Sequence, residues 1–175
     1  MEKMELQEII DACEKAESEY LDLYRPLLGY EDELTFYRGA DDSIMDTIKE
    51  MEEKIGIQFP PDFFQIYLLS NGGRYFDITL YSFTENKNAP EDIYYKNMIA
   101  NVKKEYNAPD NTILIGETTD GLLILVGIDE EGYYYYSCWN KETKEEEFRF
   151  NYLLELLVHE IDYHTGAFDI DEEEE

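Results

Sequence analysis

An α+β fold, with helices flanking a mostly antiparallel sheet, is predicted by three observations. Apolar residues step by three and four at both ends of the chain, and four strand-like segments follow one another in the second half with only short turns between them. The 175 residues, 43% hydrophobic and 15% aromatic, are also enough to close one sizeable core. One domain over residues 1–168 is therefore expected, followed by an acidic tail at 169–175.

Taken in order, Leu6, Ile9, Cys13, Ala16, Tyr20, Leu23 and Leu27, with Glu and Asp between them, predict an amphipathic helix within residues 3–27. The spacing is also heptad-like, but a Cys and an Ala on the seam and only three repeats favour a core-facing helix over a coiled coil. Residues 33–39 read as a short extended segment around Thr35, Phe36 and Tyr37. Ser43 has the character of a helix N-cap with Asp46 in the first turn, Ile44, Ile48, Met51 and Ile55 form the buried stripe, and Gly56 ends the helix.

The stretch FPPDFFQIYLLSNGGRYFD, residues 59–77, comes next. Pro60 keeps the entry extended, and Pro61 suits the first helical position because its φ is preset and its missing N–H needs no partner there. Apolar side chains from Phe63 to Leu69 then cover almost the whole circumference, as in a buried helix. Asn71, Gly72 and Gly73 tolerate positive φ and predict a sharp turn into a strand. A phosphate cradle is disfavoured, since no lysine follows and the G-x-G-x-x-G spacing is missing. Beyond it the pattern predicts a strand at 74–83, a polar loop at 84–90 and a helix at about 91–106. A meander of strands follows at 112–117, 121–129, 132–140 and 145–151. Leu153, Leu154, Leu157 and Ile161 mark a last helix, and the tail is expected to be disordered.

Charge bounds the function. With 42 acids against 14 bases the chain carries −28, which opposes nucleic-acid phosphates and anionic lipid and favours a basic partner. The segment 56–112 is nearly balanced, so the FPPDFF stretch is not the charged surface. The longest strictly apolar run is five residues, 122–126, and the N-terminus has no signal-peptide core, so a soluble cytoplasmic protein with no membrane contact is expected. Cys13 and Cys138 accordingly read as buried free thiols.

Little here points to catalysis. In HEIDYH, His159 and His164 are five apart, whereas a zinc helix of the H-E-x-x-H kind needs a spacing of four. Asp41 and Asp42 lack a calcium-loop spacing, and neither cysteine has an evident base. The expectation is no enzyme, no cofactor and no metal. The run YYYYSCWN is more informative. In a strand Tyr133, Tyr135, Ser137 and Trp139 face one way and Tyr134, Tyr136 and Cys138 the other, so either helices cover both faces or some tyrosines are exposed. Exposed Tyr133 and Tyr135, rimmed by Glu130, Glu131, Glu145, Glu146 and Glu147, would suit a cationic protein.

FYRGADDSIMDTIKEMEEKIGIQFPPDFFQIYLLSNGG resembles the opening signature of the SUKH superfamily, carried here by Gly39, Ile55 and Gly56, Phe59 with Pro60, Asp62, and Asn71, Gly72 and Gly73; Pro61 is a second proline beyond that pattern. ILIGETTDGLLILVGID and YYYYSCWN are similar to its central strands, so the resemblance spans about residues 35–160. It implies a SUKH-like fold to which the N-terminal helix is an addition, with the opening motif as scaffold. It also implies an immunity protein that blocks a cognate bacterial toxin, in our reading a basic nuclease domain. The alternative within the same family is a regulatory protein-interaction scaffold.

Overall fold

The computed structural model describes residues 2–39 and 42–166, and places in them one eight-stranded antiparallel sheet whose strands lie in chain order. They are β1 (Lys3–Met4), β2 (Leu34–Arg38), β3 (Ser70–Tyr75), β4 (Ile78–Leu80), β5 (Ile113–Thr118), β6 (Leu122–Ile128), β7 (Tyr134–Asn140) and β8 (Glu145–Phe150). The helices are α1 (Leu6–Lys15), α2 (Leu21–Tyr24), α3 (Met45–Ile55), α4 (Pro61–Leu69), α5 (Val102–Glu105) and α6 (Leu153–Thr165). The α+β class and the C-terminal meander stand as predicted. The tail at 169–175 and Asp41 lie outside the described residues.

Four local expectations need correcting. The N-terminal helix breaks after Lys15, where Glu17 takes φ 49°, Ser18 N–H donates to the Cys13 carbonyl at 2.9 Å and the Ser18 hydroxyl accepts from Tyr20 N–H at 3.2 Å. Apolar spacing continues across the break because Ile9 and Cys13 before it and Leu23, Tyr24 and Leu27 after it face the same core. At α3, Ile44 rather than Ser43 occupies the N-cap, after a 3-10 turn at Asp42–Ile44. The helix at 91–106 is instead a π-helical turn, Tyr95–Ile99, and the short α5, separated by Asn101 at φ 46°. Asn97 fixes this arrangement by donating to the Ile93 and Leu114 carbonyls and accepting from Leu114 N–H.

The fourth correction concerns the glycine pair. Asn71, Gly72 and Gly73 do not turn out of α4; they lie inside β3, and the chain reverses later, at Phe76 (φ 56°), into β4. Between the pairs Phe36 with Gly73 and Arg38 with Ser70, two residues of β3 oppose one of β2, which is a β-bulge. Gly73 sits there at φ 133°, and a Cβ on it would lie 2.2 Å from the Thr35 carbonyl oxygen. Glycine is needed for close approach as well as for conformation. Asn71 completes the junction through Phe83, donating to its carbonyl at 2.8 Å and accepting from its N–H at 2.9 Å.

Other motif residues do as predicted. Gly56 closes α3 in the left-handed conformation, its N–H on the Glu52 carbonyl, while Pro60 is the extended N-cap and Pro61 the first residue of α4. Gly39 abuts α4, where a Cβ would meet the Leu68 carbonyl oxygen at 2.0 Å. Around α4, Phe59, Phe63, Tyr67 and Phe83 stack and meet edge to face. The buried side chains form one cluster running from Leu6 to Ile161, with free Cys13 and Cys138 inside it.

One carboxylate joins three elements of this cluster. Asp62, in the first turn of α4, accepts the Tyr136 hydroxyl of β7 at 3.0 Å through one oxygen. Its other oxygen accepts Leu153 N–H at 2.8 Å, at the first residue of α6, where Tyr152 supplies no side-chain cap. Asp62 therefore caps α6 from another helix while satisfying a buried phenol.

Asp62→Ala should cost about 2–4 kcal/mol, because a cap and the partner of a buried hydroxyl are lost together. In urea unfolding of the double-mutant cycle, Asp62→Ala with Tyr136→Phe should fall short of additivity by about 1 kcal/mol or more; strict additivity would show that the two groups act independently.

A second prediction concerns alkaline pH. Burial raises the hydroxyl pKa of Tyr20, Tyr24, Tyr67, Tyr75, Tyr81 and Tyr136 above the ordinary value of 10.0. The unfolded chain releases these protons first, so the stability they carry is whole below that value and is lost as pH rises above it. Lys103, lowered by burial, has the opposite sign but is one group against six. Urea midpoints should fall steeply above pH 10, together with the rise of tyrosinate absorbance; a flat profile there would contradict the buried phenol network.

Candidate functional site

The tyrosine strand is buried at its centre and half-buried toward both ends. Tyr136, Ser137 and Cys138 are buried, and burial beside several carboxylates pushes the Cys138 thiol up to about 12, so it is no nucleophile at neutral pH. On one face β7 packs under α6 and α4. On the other, Trp139 donates to the Tyr106 carbonyl at 2.9 Å, so the segment after the π turn covers that end.

Tyr135 is half-buried and locked in place. Its ring lies across Gly127, the residue opposite it on β6, where a Cβ would come within 2.5 Å of the ring. The Arg149 guanidinium sits 3.8 Å from its centroid, and Arg149 in turn holds Glu146 through two hydrogen bonds of 2.5 and 2.8 Å. Tyr135 is thus a packed element of the sheet, and Glu146 is already neutralised by a cation. Sequence reasoning missed this stack because it rests on the register that sets Gly127 against Tyr135; the isolated glycine in an apolar strand was the available signal.

The remaining predicted residues divide into two patches. Glu130, Glu131 and exposed Tyr133 form the β6–β7 hairpin tip, where Asp129 accepts the N–H groups of Glu131 and Tyr133 at 2.9 Å. Glu145 lies on β8 opposite Asn140, and Glu147 sits at the register shift between the pairs Cys138 with Phe148 and Trp139 with Glu146, accepting from the Asn140 amide. Six residues of β7 separate the patches, about 20 Å of strand. The structure does not bring the two groups of acids together.

It does bring the tip to α3. Ile128 and Tyr134, at the base of the hairpin, line an open cavity of about 480 Å³ with Lys49, Glu52, Glu53, Gly56, Ile57 and Gln58. Glu52 accepts Phe59 N–H at 2.8 Å and is held on the wall, whereas Glu53 is exposed. Glu130, Glu131, Glu53 and Glu145 enter no ion pair among the described residues, which leaves their charge available to a partner. At the far side β8 has no second neighbour among the described residues, so its backbone groups are open for pairing. The acids of α3 were visible in the sequence only as a solvated helix face.

No described helix is long and apolar enough to cross a membrane. No curated protein matches the chain. A family model does match, over residues 45–158, about two thirds of the chain, from the start of α3 to the middle of α6. That stretch holds the Asp62 brace, the glycine bulge and the whole tyrosine meander, and leaves Gly39 just outside it. The chain belongs to the SMI1 / KNR4 family (SUKH-1).

Proposed function

We propose that this protein is an immunity-type inhibitor that binds and neutralises a cognate bacterial toxin, a basic nuclease domain, in the cytoplasm and without catalysis of its own. The family supplies the class, since SUKH domains are immunity-protein-like. The observation that carries the rest is the placing of unpaired charge. A chain of net charge −28 keeps Glu53, Glu130, Glu131 and Glu145 unpaired, beside a cavity, an exposed tyrosine and an open strand edge. Such carboxylates occupy the lysine and arginine positions that a nuclease uses to hold phosphates. They also steer encounter, which raises association toward about 10⁸ M⁻¹s⁻¹ at low salt.

Recognition divides between steering acids and an anchor. Glu130 and Glu131 at the tip draw the partner in, and Tyr133, with 67% of its surface exposed, supplies rigid contact area. Tyr135, pinned between Gly127 and Arg149, holds the hairpin in shape.

The test is expression of the neighbouring reading frame with and without this chain, which should turn a toxic product harmless. In binding kinetics with that product, Glu130→Lys with Glu131→Lys should slow association about tenfold at low salt, and Tyr133→Ala should speed dissociation by about 30-fold. A non-toxic neighbour, together with capture of regulatory proteins of the host cell, would favour the interaction scaffold instead.

A further inference from the structure

Asp77, Glu160 and His164 meet where the β3–β4 turn touches the last turn of α6, away from the hairpin tip. His164 Nε2 lies 2.9 Å from Glu160 Oε1 and 3.1 Å from Asp77 Oδ2, and the three ligand atoms all fall within 4.8 Å of one another. Two carboxylate oxygens thus converge on one ring nitrogen, a geometry that a shared N–H or a metal ion can hold.

The imidazole is positioned in advance. Its ring stacks on Phe76 at 4.9 Å with 3° between the planes, and the Tyr163 ring meets it edge-on at 5.2 Å. Phe76 is buried at φ 56°, so the same tight turn that supplies the platform also presents Asp77. Glu160 and His164 are four apart on α6, the one-face spacing that His159 and His164 lack.

We propose that Asp77, Glu160 and His164 form a binding site for a zinc ion. Zinc bound tetrahedrally at about 2.0–2.1 Å from nitrogen and oxygen separates its ligands by about 3.3–3.4 Å. The two distances from Nε2 need open by only a few tenths of an ångström, and the two carboxylate oxygens already lie within 4.8 Å of each other. One nitrogen with two carboxylates suits zinc, and the lone imidazole favours it over magnesium or calcium, which take all-oxygen sites. All three side chains are partly buried, so the ion would be shielded yet reachable. A fourth ligand, water, enters from the adjoining cavity of about 310 Å³, whose walls include Asp77, Glu160 and Asp120. The ion would clip the C-terminal turn of α6 to the β3–β4 turn. Two of the ligands lie beyond residue 158, where the family match ends, and the proposal does not depend on the toxin reading.

Full-length protein stripped with chelator should bind one zinc ion per chain with micromolar affinity in competition with a chromophoric chelator, and cobalt should give the visible absorption of a four- or five-coordinate site. His164→Gln and Glu160→Gln should each weaken zinc by at least about 100-fold, since losing a ligand exceeds the 10–100-fold cost of losing an outer partner. Glu130→Gln with Glu131→Gln, remote acids on the same highly charged chain, should leave affinity unchanged. Zinc binding weaker than millimolar in the parent protein, or equal in all three variants, would overturn the site and leave a proton bridging the cluster.

Discussion

A single carboxylate constrains how the helices sit on the sheet. Asp62 is placed by Pro60 and Pro61, which fix the start of α4, and it spends its two oxygens on the Tyr136 hydroxyl and the N-terminus of α6. Neither group has an easy substitute. Tyr136 is fully buried, and an unpaired phenol there would cost free energy comparable to a lost hydrogen bond. With α4, β7 and α6 held at one point, the aromatic layer around Phe63 and Tyr67 packs in one arrangement. Tyr20 extends the same network by donating to Gln65 at 2.6 Å, and the Tyr24 and Tyr75 hydroxyls, 3.0 Å apart, bring the N-terminal helices into the same core. The motif around FPPDFF is therefore a brace within the scaffold.

The interior is braced by neutral rings, by Asp62 at its margin and by buried Asp92, which accepts from Thr84 and Tyr95, so most of the excess charge is displaced to the periphery. Lys103 is a buried exception, its ammonium donating to the carbonyls of Asp110 and Thr112 at the entry to β5. At the surface, acids that have cations nearby are paired, as Glu50 is with Lys54 and Lys87, and Glu117 with Lys141. With three acids for every base, most must stay unpaired, and those at the hairpin tip and on α3 flank a concave surface. Their mutual repulsion opposes folding slightly and rewards a cationic partner more, which joins the composition to the proposed function.

Legibility followed locality. Pro61 at the start of α4, Gly56 at the end of α3 and the four strands of the meander were readable because their causes lie within a few residues. The break at Glu17 was hidden because spacing reports a shared buried face and not an unbroken backbone. Local pattern assigns Gly73 to a turn, whereas the fold needs it inside β3, because the Thr35 carbonyl that excludes a side chain belongs to a strand 38 residues earlier. The same limit governs the sites. The tip acids and Tyr133 were legible from one hairpin, while the cover over Tyr135, the distance between the two acidic patches and the approach of Asp77 to His164 all depend on pairings across the fold.

In the proposed division of labour the opening motif holds the fold, while the hairpin tip, α3 and the β8 edge meet the partner. Amide hydrogen exchange of the protein alone and bound to the cationic partner proposed for it separates these two roles. New protection is expected at residues 129–134, 49–58 and 145–150, with 62–75 already protected in the free protein and unchanged on binding. New protection concentrated in 62–75, with the tip and edge unaltered, would contradict that division.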